Sequence, residues 1–399
     1  MEKKMRVAVY TGVIPSTTFV ENLLTSLAQK NVQTFIFGKK NDKKYYENPK
    51  LKFFYVPDNK FKKIIYIIFH GSIFLLKNHQ SFLTTYKYYK SLSKKESGGL
   101  INWLSKVLPV INNLPDIFHL QWAKSLPFWF FLKEIFGVKI IVSLRGAHIN
   151  YSPLSDNHLK SNYLNLFPRV DKFHAVSNAI SRVAQKYGAK KNAISIIYSG
   201  VNIKNLNQIE TVKTYVNNTF SFISVGRAHW KKGYHYSISA FSKLILSGIE
   251  AKYTIILSND PSEEILYQIE DLNLNKYIKI ITRIKQNDIY RRIKNSDCLL
   301  LPSVEEGIAN VVLESMAIGT LVISSDCGGM IEIIQNNING LIFESRNVTE
   351  LTEKMKHVIK LHENQKIKII SNARQTIHDN HDLNVLGSKM KKLYHNALL

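Results

Sequence analysis

The sequence predicts an α/β protein built from two parallel-sheet domains that face each other across a cleft. Three observations carry this. Short apolar runs alternate with helical periods along nearly the whole chain. A polar stretch at residues 202–218 interrupts that rhythm near the middle. The rhythm then restarts with a second series of similar size. Alternation of strand and helix argues for parallel sheets covered on both faces. At 399 residues the chain exceeds what one core usually serves. An apolar content of 45% lets each half bury its own core.

In the first half, strands are expected at residues 6–10, 32–37, 51–56, 117–120, 138–144, 173–176 and 194–197. Phe19, Val20, Leu23, Leu24, Leu27 and Ala28 recur at helical spacing after the first of these. Further helices are expected at 124–136 and 178–187. In the second half, strands are expected at 220–225, 253–257, 278–281, 298–301 and 321–324. The domains are therefore placed at 1–203 and 204–378, with a final segment at 379–399. In that segment Leu383, Leu386, Met390 and Leu393 mark one more helix. Sheets of this kind bind ligands beyond the carboxyl ends of their strands.

The formal charge is +24, from 54 Lys and Arg against 30 Asp and Glu. No zinc finger, RNP or helix-turn-helix signature accompanies it, so nucleic acid is not expected as a partner. Two readings remain: attraction to anionic lipid or phosphorylated substrates, or a drift toward Lys, Asn and Ile without function. Cys298 and Cys327 are too few for a disulfide framework and read as buried thiols in a reducing compartment. The apolar run at residues 7–10 is too short for a signal peptide, and no stretch reaches transmembrane length. A cytoplasmic protein is expected.

Residues 60–95 depart from the pattern: the segment holds eight lysines, many aromatics and no acid. Its apolar run at 64–76 is too short to span a bilayer. Docking on an anionic membrane surface is the expectation, with peripheral attachment to the inner face of the cell membrane. The plainer reading is a solvated Lys-rich helix beside a core helix.

Three motifs carry chemistry. The first runs from Val304 to Ile318 and sets Glu306 and Glu314 in one loop–helix segment. A helix starting near Asn310 would leave the N–H groups of Gly307, Ile308, Ala309 and Asn310 free to meet a diphosphate. Glu306 and Glu314 could then accept hydrogen bonds from sugar and ribose hydroxyls. The plainer reading is two ordinary charges in a helix start. The second motif, Gly226-Arg-Ala-His-Trp-Lys-Lys-Gly-Tyr234, follows the first strand of the second half. Arg227 and Lys232 would offer fixed positive charge to a departing diphosphate without a metal. Otherwise the segment is a solvated basic turn. The third, Ser325-Asp-Cys-Gly-Gly-Met-Ile-Glu332, permits close backbone approach, which structural turns explain nearly as well.

In this order the motifs resemble glycosyltransferase family 4, of the GT-B fold: two Rossmann-like domains. Gly226 to Tyr234 is similar to the colanic-acid and exopolysaccharide branch. The resemblance covers nearly the whole chain and is looser in the first half. It implies that the second domain binds a nucleotide sugar, UDP- or GDP-linked, and the first a saccharide or lipid-linked acceptor. It implies that Arg227 and Lys232 hold the diphosphate, Glu306 and the backbone after it the sugar, and Glu314 the ribose. It further implies retention of configuration, no metal, no separate cofactor, and a C-terminal helix returning to the first domain. No Asp-x-Asp motif is present. In the first half, His119-Leu-Gln121 stands where relatives often have His-x-His, and Arg145-Gly-Ala-His148 where they have His-Gly-x-Asp. His119, Arg145 and His148 are the candidates there for a sugar or acceptor contact.

Rival readings are another GT-B activity, such as epimerisation or phosphorolysis, and a non-catalytic sugar-nucleotide or polysaccharide binding protein. A dinucleotide oxidoreductase is disfavoured, because no Gly-x-Gly-x-x-Gly follows the first strand.

Overall fold

The computed structural model describes residues 5–41, 48–77, 79–92, 98–210 and 219–399. Residues 1–4, 42–47, 78, 93–97 and 211–218 lie outside that description, including parts of the basic segment and of the polar linker. The chain divides into two units: Met1–Tyr198 with Leu383–Leu399, and Ser199–Asp382.

The first unit holds one seven-stranded parallel sheet: β1 (Arg6–Ile14), β2 (Gln33–Lys40), β3 (Leu51–Val56), β4 (Ile117–Leu120), β5 (Lys139–Leu144), β6 (Lys172–Ala175) and β7 (Ile194–Ile196). Their spatial order is β3-β2-β1-β4-β5-β6-β7. The strands read as continuous apolar runs because helices cover both faces. Val7, Ala8 and Val9 on β1 are all fully buried, so both sides of that strand face core. β1 runs four residues past the expected end, through a register shift between Tyr10 and Gly12. The helix Leu100–Asn112 was not anticipated; it buries Trp103, Val107, Leu108, Val110 and Ile111. The helix expected at 124–136 is broken into a 3-10 turn at Ala123–Ser125 and two short helices, Leu126–Trp129 and Phe131–Phe136.

The second unit holds six parallel strands: β8 (Phe220–Gly226), β9 (Ala251–Leu257), β10 (Ile278–Thr282), β11 (Cys298–Leu301), β12 (Leu321–Ser325) and β13 (Leu341–Phe343). Their order is β10-β9-β8-β11-β12-β13. β13 was missed; at three residues it is too short to stand out from the loop around it.

The contact boundaries lie a few residues from those expected at 203/204 and 378/379. Hydrogen bonds give the reason. His381 Nδ1 donates to Ser199 O at 2.9 Å, and Val201 N donates to His381 O at 2.8 Å. These ties hold 199–201 in the second unit. The last helix, Leu383–Leu398, packs within the first unit against the helix Thr18–Gln29. A Cβ on Gly387 would stand 2.7 Å from Ser26 O, so this crossing is close enough to require glycine.

Candidate active site

In the second unit β8 lies between β9 and β11, so the chain leaves β8 in one direction and returns to the other side of it at β11. At such a switch point the loops after the two strands diverge and open a crevice at their carboxyl ends. Both specific motifs sit there. Gly226 ends β8, and Arg227 to Gly233 form the loop beyond it. Residues 302–309 follow β11 and lead into the helix Asn310–Ile318.

The two loops are bound to each other. Val304 N donates to Lys231 O at 2.7 Å. Lys232 Nζ donates to Glu306 Oε1 at 2.5 Å, and Ser303 Oγ donates to the same oxygen at 3.0 Å. Gly233 has φ +63°, and a Cβ there would meet Pro302 O at 2.1 Å. Gly328 has φ +58°, and a Cβ there would meet Glu306 O at 1.8 Å. Thus the Gly-Gly segment seats the Glu306 loop, and Gly329 N completes the contact by donating to Gly307 O at 3.1 Å.

Positive charge converges on this point. Arg227 is exposed and forms no ion pair among the described residues. Burial lowers the pKa of Lys231, with Glu306 opposing and Lys232 and Arg227 adding to the shift. His229 is lowered by burial and then by Arg227, Lys231 and Lys232. Glu306 is buried, which works to raise its pKa; the charges of Lys232 and Lys231 and the hydrogen bonds from Lys232 and Ser303 outweigh that, and it stays below the ordinary value. It is therefore a carboxylate. Glu314 lies on the inner side of the helix, with Tyr290 Oη donating to its Oε1 at 3.0 Å. Burial pushes its pKa up to about 7, against the lowering effect of Tyr290.

The helix begins at Asn310, where the sequence placed it, and no side chain caps it. Gly307, Ile308 and Asn310 present N–H groups without a protein acceptor among the described residues. Ala309 does not, which corrects the expected run of four: its N–H donates to Met330 Sδ at 3.4 Å. Three open N–H groups at the positive end of a helix still form an anion seat.

The first unit treats its candidates differently. His119 on β4 is fully buried, with both ring nitrogens engaged. It cannot reach a sugar, so that expectation is withdrawn. Instead it belongs to a chain of hydrogen bonds whose direction can be worked out from its end. Ile197 O can only accept, so His174 Nε2 carries the proton (2.9 Å) and His174 Nδ1 accepts from Ser143 Oγ (2.8 Å). Ser143 then accepts from His119 Nε2 (2.8 Å), and His119 Nδ1 accepts from Tyr394 Oη (2.8 Å). Both imidazoles are neutral in this arrangement. Burial lowers His119 well below its ordinary value, and lowers His174 to about 3, with Arg145 adding to both shifts.

Arg145 and His148 lie after β5, bracketing Gly146, whose φ is +107°. The Arg145 guanidinium donates to Gln121 Oε1 at 3.1 Å and stacks 4.4 Å above the Phe19 ring. Burial lowers its pKa to about 9. His148 packs edge-on against Trp122, ring centres 5.2 Å apart. Both remain half-buried at the carboxyl end of the sheet, so they stay in place as candidates.

Sequence reasoning missed Ser303, Tyr290 and Asn259. Asn259 Oδ1 accepts from Ala228 N at 2.8 Å and fixes the loop after β8. None of the three lies in a recognisable motif, since each acts on a partner more than twenty residues away, apart from Ser303 beside Glu306. Among the described residues no three His, Cys, Asp or Glu side chains group as a metal site, and no helix is long and apolar enough to cross a membrane.

Comparison with known proteins agrees with this fold. The model for "Glycosyl transferases group 1" matches residues 208–376, and that for "Glycosyltransferase Family 4" matches 16–205. The N,N'-diacetylbacillosaminyl-diphospho-undecaprenol alpha-1,3-N-acetylgalactosaminyltransferase of Campylobacter jejuni is 26% identical, over 73% of this chain and 79% of that protein. The amylovoran biosynthesis glycosyltransferase AmsK of Erwinia amylovora is 27% identical over 52% of each, so the chain spans about half of that relative. Anabaena HepE, solved in complex with UDP and glucose, superposes with a TM-score of 0.73 at 17% identity, covering 97% of this chain and 98% of that one. With a family model matching each of its two parallel-sheet domains, the chain belongs to glycosyltransferase family 4 and has the GT-B fold.

Proposed function

We propose that this glycosyltransferase moves a hexose from a nucleotide sugar to a saccharide acceptor, lipid-linked, in bacterial surface polysaccharide synthesis, with retention of anomeric configuration and without a metal. The observation that carries the donor reading is the meeting of three features at one switch point: the Arg227–Lys232 loop, the Glu306 carboxylate and the open N-terminus of the helix Asn310–Ile318. A nucleoside diphosphate matches that combination of fixed cations and free N–H groups. The lipid-linked acceptor is supported by the diphospho-undecaprenol named in the Campylobacter relative. A UDP-linked donor is supported by the UDP in the HepE complex, and a GDP-linked one remains the alternative.

In this reading the arriving diphosphate competes with Glu306 for Lys232. The carboxylate so released accepts hydroxyls of the donor sugar, and Glu314 accepts those of the ribose. As the glycosidic C–O bond breaks, negative charge grows on the leaving phosphate, where Arg227, Lys232 and the helix N–H groups stabilise it. The acceptor hydroxyl attacks from the same face, and the leaving phosphate oxygen takes its proton. Catalysis then comes from positioning and charge stabilisation rather than from a protein nucleophile.

The test is release of nucleoside diphosphate from UDP- and GDP-hexoses in the presence of lipid-linked and free oligosaccharide acceptors, with NMR of the product anomer. Acceptor-dependent release with the donor's configuration kept supports the proposal. Donor binding without any release would favour a binding protein, and an inverted product would overturn retention.

A further inference from the structure

The helix Lys60–Lys77 is turned inside out. Its inward face is closed by two polar contacts and by Ile67 and Phe74. Lys63 is only 9% exposed, and its Nζ donates to Asn102 Oδ1 at 2.8 Å. Ile67 packs on the first unit's core. One turn further, Asn112 Nδ2 donates to His70 O at 2.9 Å, and Phe74 is 2% exposed. The outward face is apolar apart from Ser72, whose hydroxyl donates to Ile68 O: Phe61 is 70% exposed, Ile68 64%, Phe69 62% and Leu76 88%, with Ile64 and Ile65 between them. At 3.6 residues per turn these six side chains fall within an arc of about 140°. Lys60 and Lys62, both exposed, stand on its two borders.

Single exposed apolar residues are ordinary; a continuous stripe on one helix face is the mark of an interaction surface. Rotation of the helix cannot hide it, because that would break the Lys63–Asn102 and His70–Asn112 contacts and expose Phe74. Charge selects the occupant. No acid occurs from residue 59 to residue 95. Lys77, Lys87 and Lys90 are exposed nearby, with Leu83 and Tyr86 on the neighbouring helix His79–Ser91. A second copy of the chain would set these cations against their own kind. An anionic bilayer accepts both the stripe and its cationic borders.

We infer that the helix Lys60–Lys77 lies in the plane of an anionic membrane, with Phe61, Ile65, Ile68, Phe69 and Leu76 inserted among the acyl chains and Lys60, Lys62 and Lys77 at the headgroups. This deepens the lipid-linked acceptor reading but rests on nothing in the donor site. It also refines the expectation from sequence, where a short apolar run flanked by lysines carried the attachment, because Lys63 does not join that attachment. Lys63 is interior and braces the helix from behind.

The experiment is sedimentation of the full chain with vesicles of phosphatidylcholine, or of phosphatidylcholine with phosphatidylglycerol, in low and high salt. No donor or acceptor is present, so the result is independent of glycosyl transfer. Ile68→Ser with Phe69→Ser should lower binding to the mixed vesicles at least tenfold at either salt, with an unchanged thermal midpoint. Lys62→Gln with Lys87→Gln should weaken binding severalfold in low salt and much less in high salt. Phe69→Trp should add indole fluorescence that brominated acyl chains quench. Undiminished binding by the folded Ser pair would overturn the inference. So would added fluorescence in the Phe69→Trp variant that brominated lipid leaves unquenched, or a lipid-free dimer that the Ser pair abolishes, which would assign the stripe to a second copy.

Discussion

The switch point of the second unit and the strand ends of the first unit have the same topology and opposite uses of polar residues. Beyond β8 and β11, Arg227 is exposed, Lys232 is paired with Glu306, and three N–H groups stand open. On β4, β5 and β6, His119, Ser143 and His174 turn inward and satisfy one another, with Tyr394 at one end and Ile197 O at the other. The fold puts loops and strand ends in equivalent places; burial then decides whether a polar residue is kept for a ligand or used up inside. A buried, fully bonded chain specifies packing and holds the C-terminal helix to the sheet. An incompletely bonded cationic loop is open to chemistry.

Measurements in both units can break or sharpen that contrast. The largest effect is expected in the second unit. Arg227→Ala and Lys232→Ala should each lower kcat with varied donor by about a hundredfold or more, by analogy with removing an oxyanion donor. They should differ in stability. Among the described residues Arg227 has no ion pair to lose, whereas Lys232→Ala strands a buried carboxylate and should also lower the thermal midpoint. Near-normal kcat/KM for both variants would remove the diphosphate role.

Next comes Gly328→Ala. Its Cβ would overlap Glu306 O, on a backbone at φ +58°. A cost of about 1–3 kcal/mol in stability is expected from the strain alone, together with a loss of donor affinity measurable by calorimetry. Normal affinity would show that the Gly-Gly segment does not seat the Glu306 loop.

In the first unit Tyr394→Phe should cost about 1 kcal/mol in urea unfolding while leaving donor KM unchanged, since it removes one buried hydrogen bond. A shift in donor KM without a change in stability would turn the buried chain into part of the site. The same chain predicts a pH dependence. His174 is lowered to about 3, below its ordinary 6.5. The unfolded state therefore binds more protons between those values. The contribution of His174 to stability should be level above pH 6.5 and fall as the pH drops toward 3, and His174→Gln should remove that part of the slope.

The smallest effect is expected at Glu314. Glu314→Gln should raise donor KM severalfold with little change in kcat, if the side chain meets ribose in both ground and transition states. Its pKa is raised to about 7 in the fold, so the folded state binds more protons between 4.5 and 7. Its contribution to stability should fall as pH rises through that window, and Glu314→Gln should abolish that fall. An unaltered KM would remove Glu314 from the donor site.

The sequence by itself determined the two-sheet α/β architecture, every strand but β13 and the motif loops of the second unit. It could do so because those features are local. Fully buried strands read as apolar runs, and Gly226 to Tyr234 and Val304 to Ile318 are each contiguous. Tertiary structure alone decided which polar residues face outward. His119 and Arg145 are both lone polar residues in apolar text, yet one is sealed by Tyr394 from 275 positions away and the other reaches Phe19 and Gln121. Lys62 and Lys63 are neighbours in sequence, yet a step of about 100° around the helix leaves one in water and sets the other against Asn102. Burial depends on which distant segment packs against a side chain, and neither composition nor spacing encodes that partner.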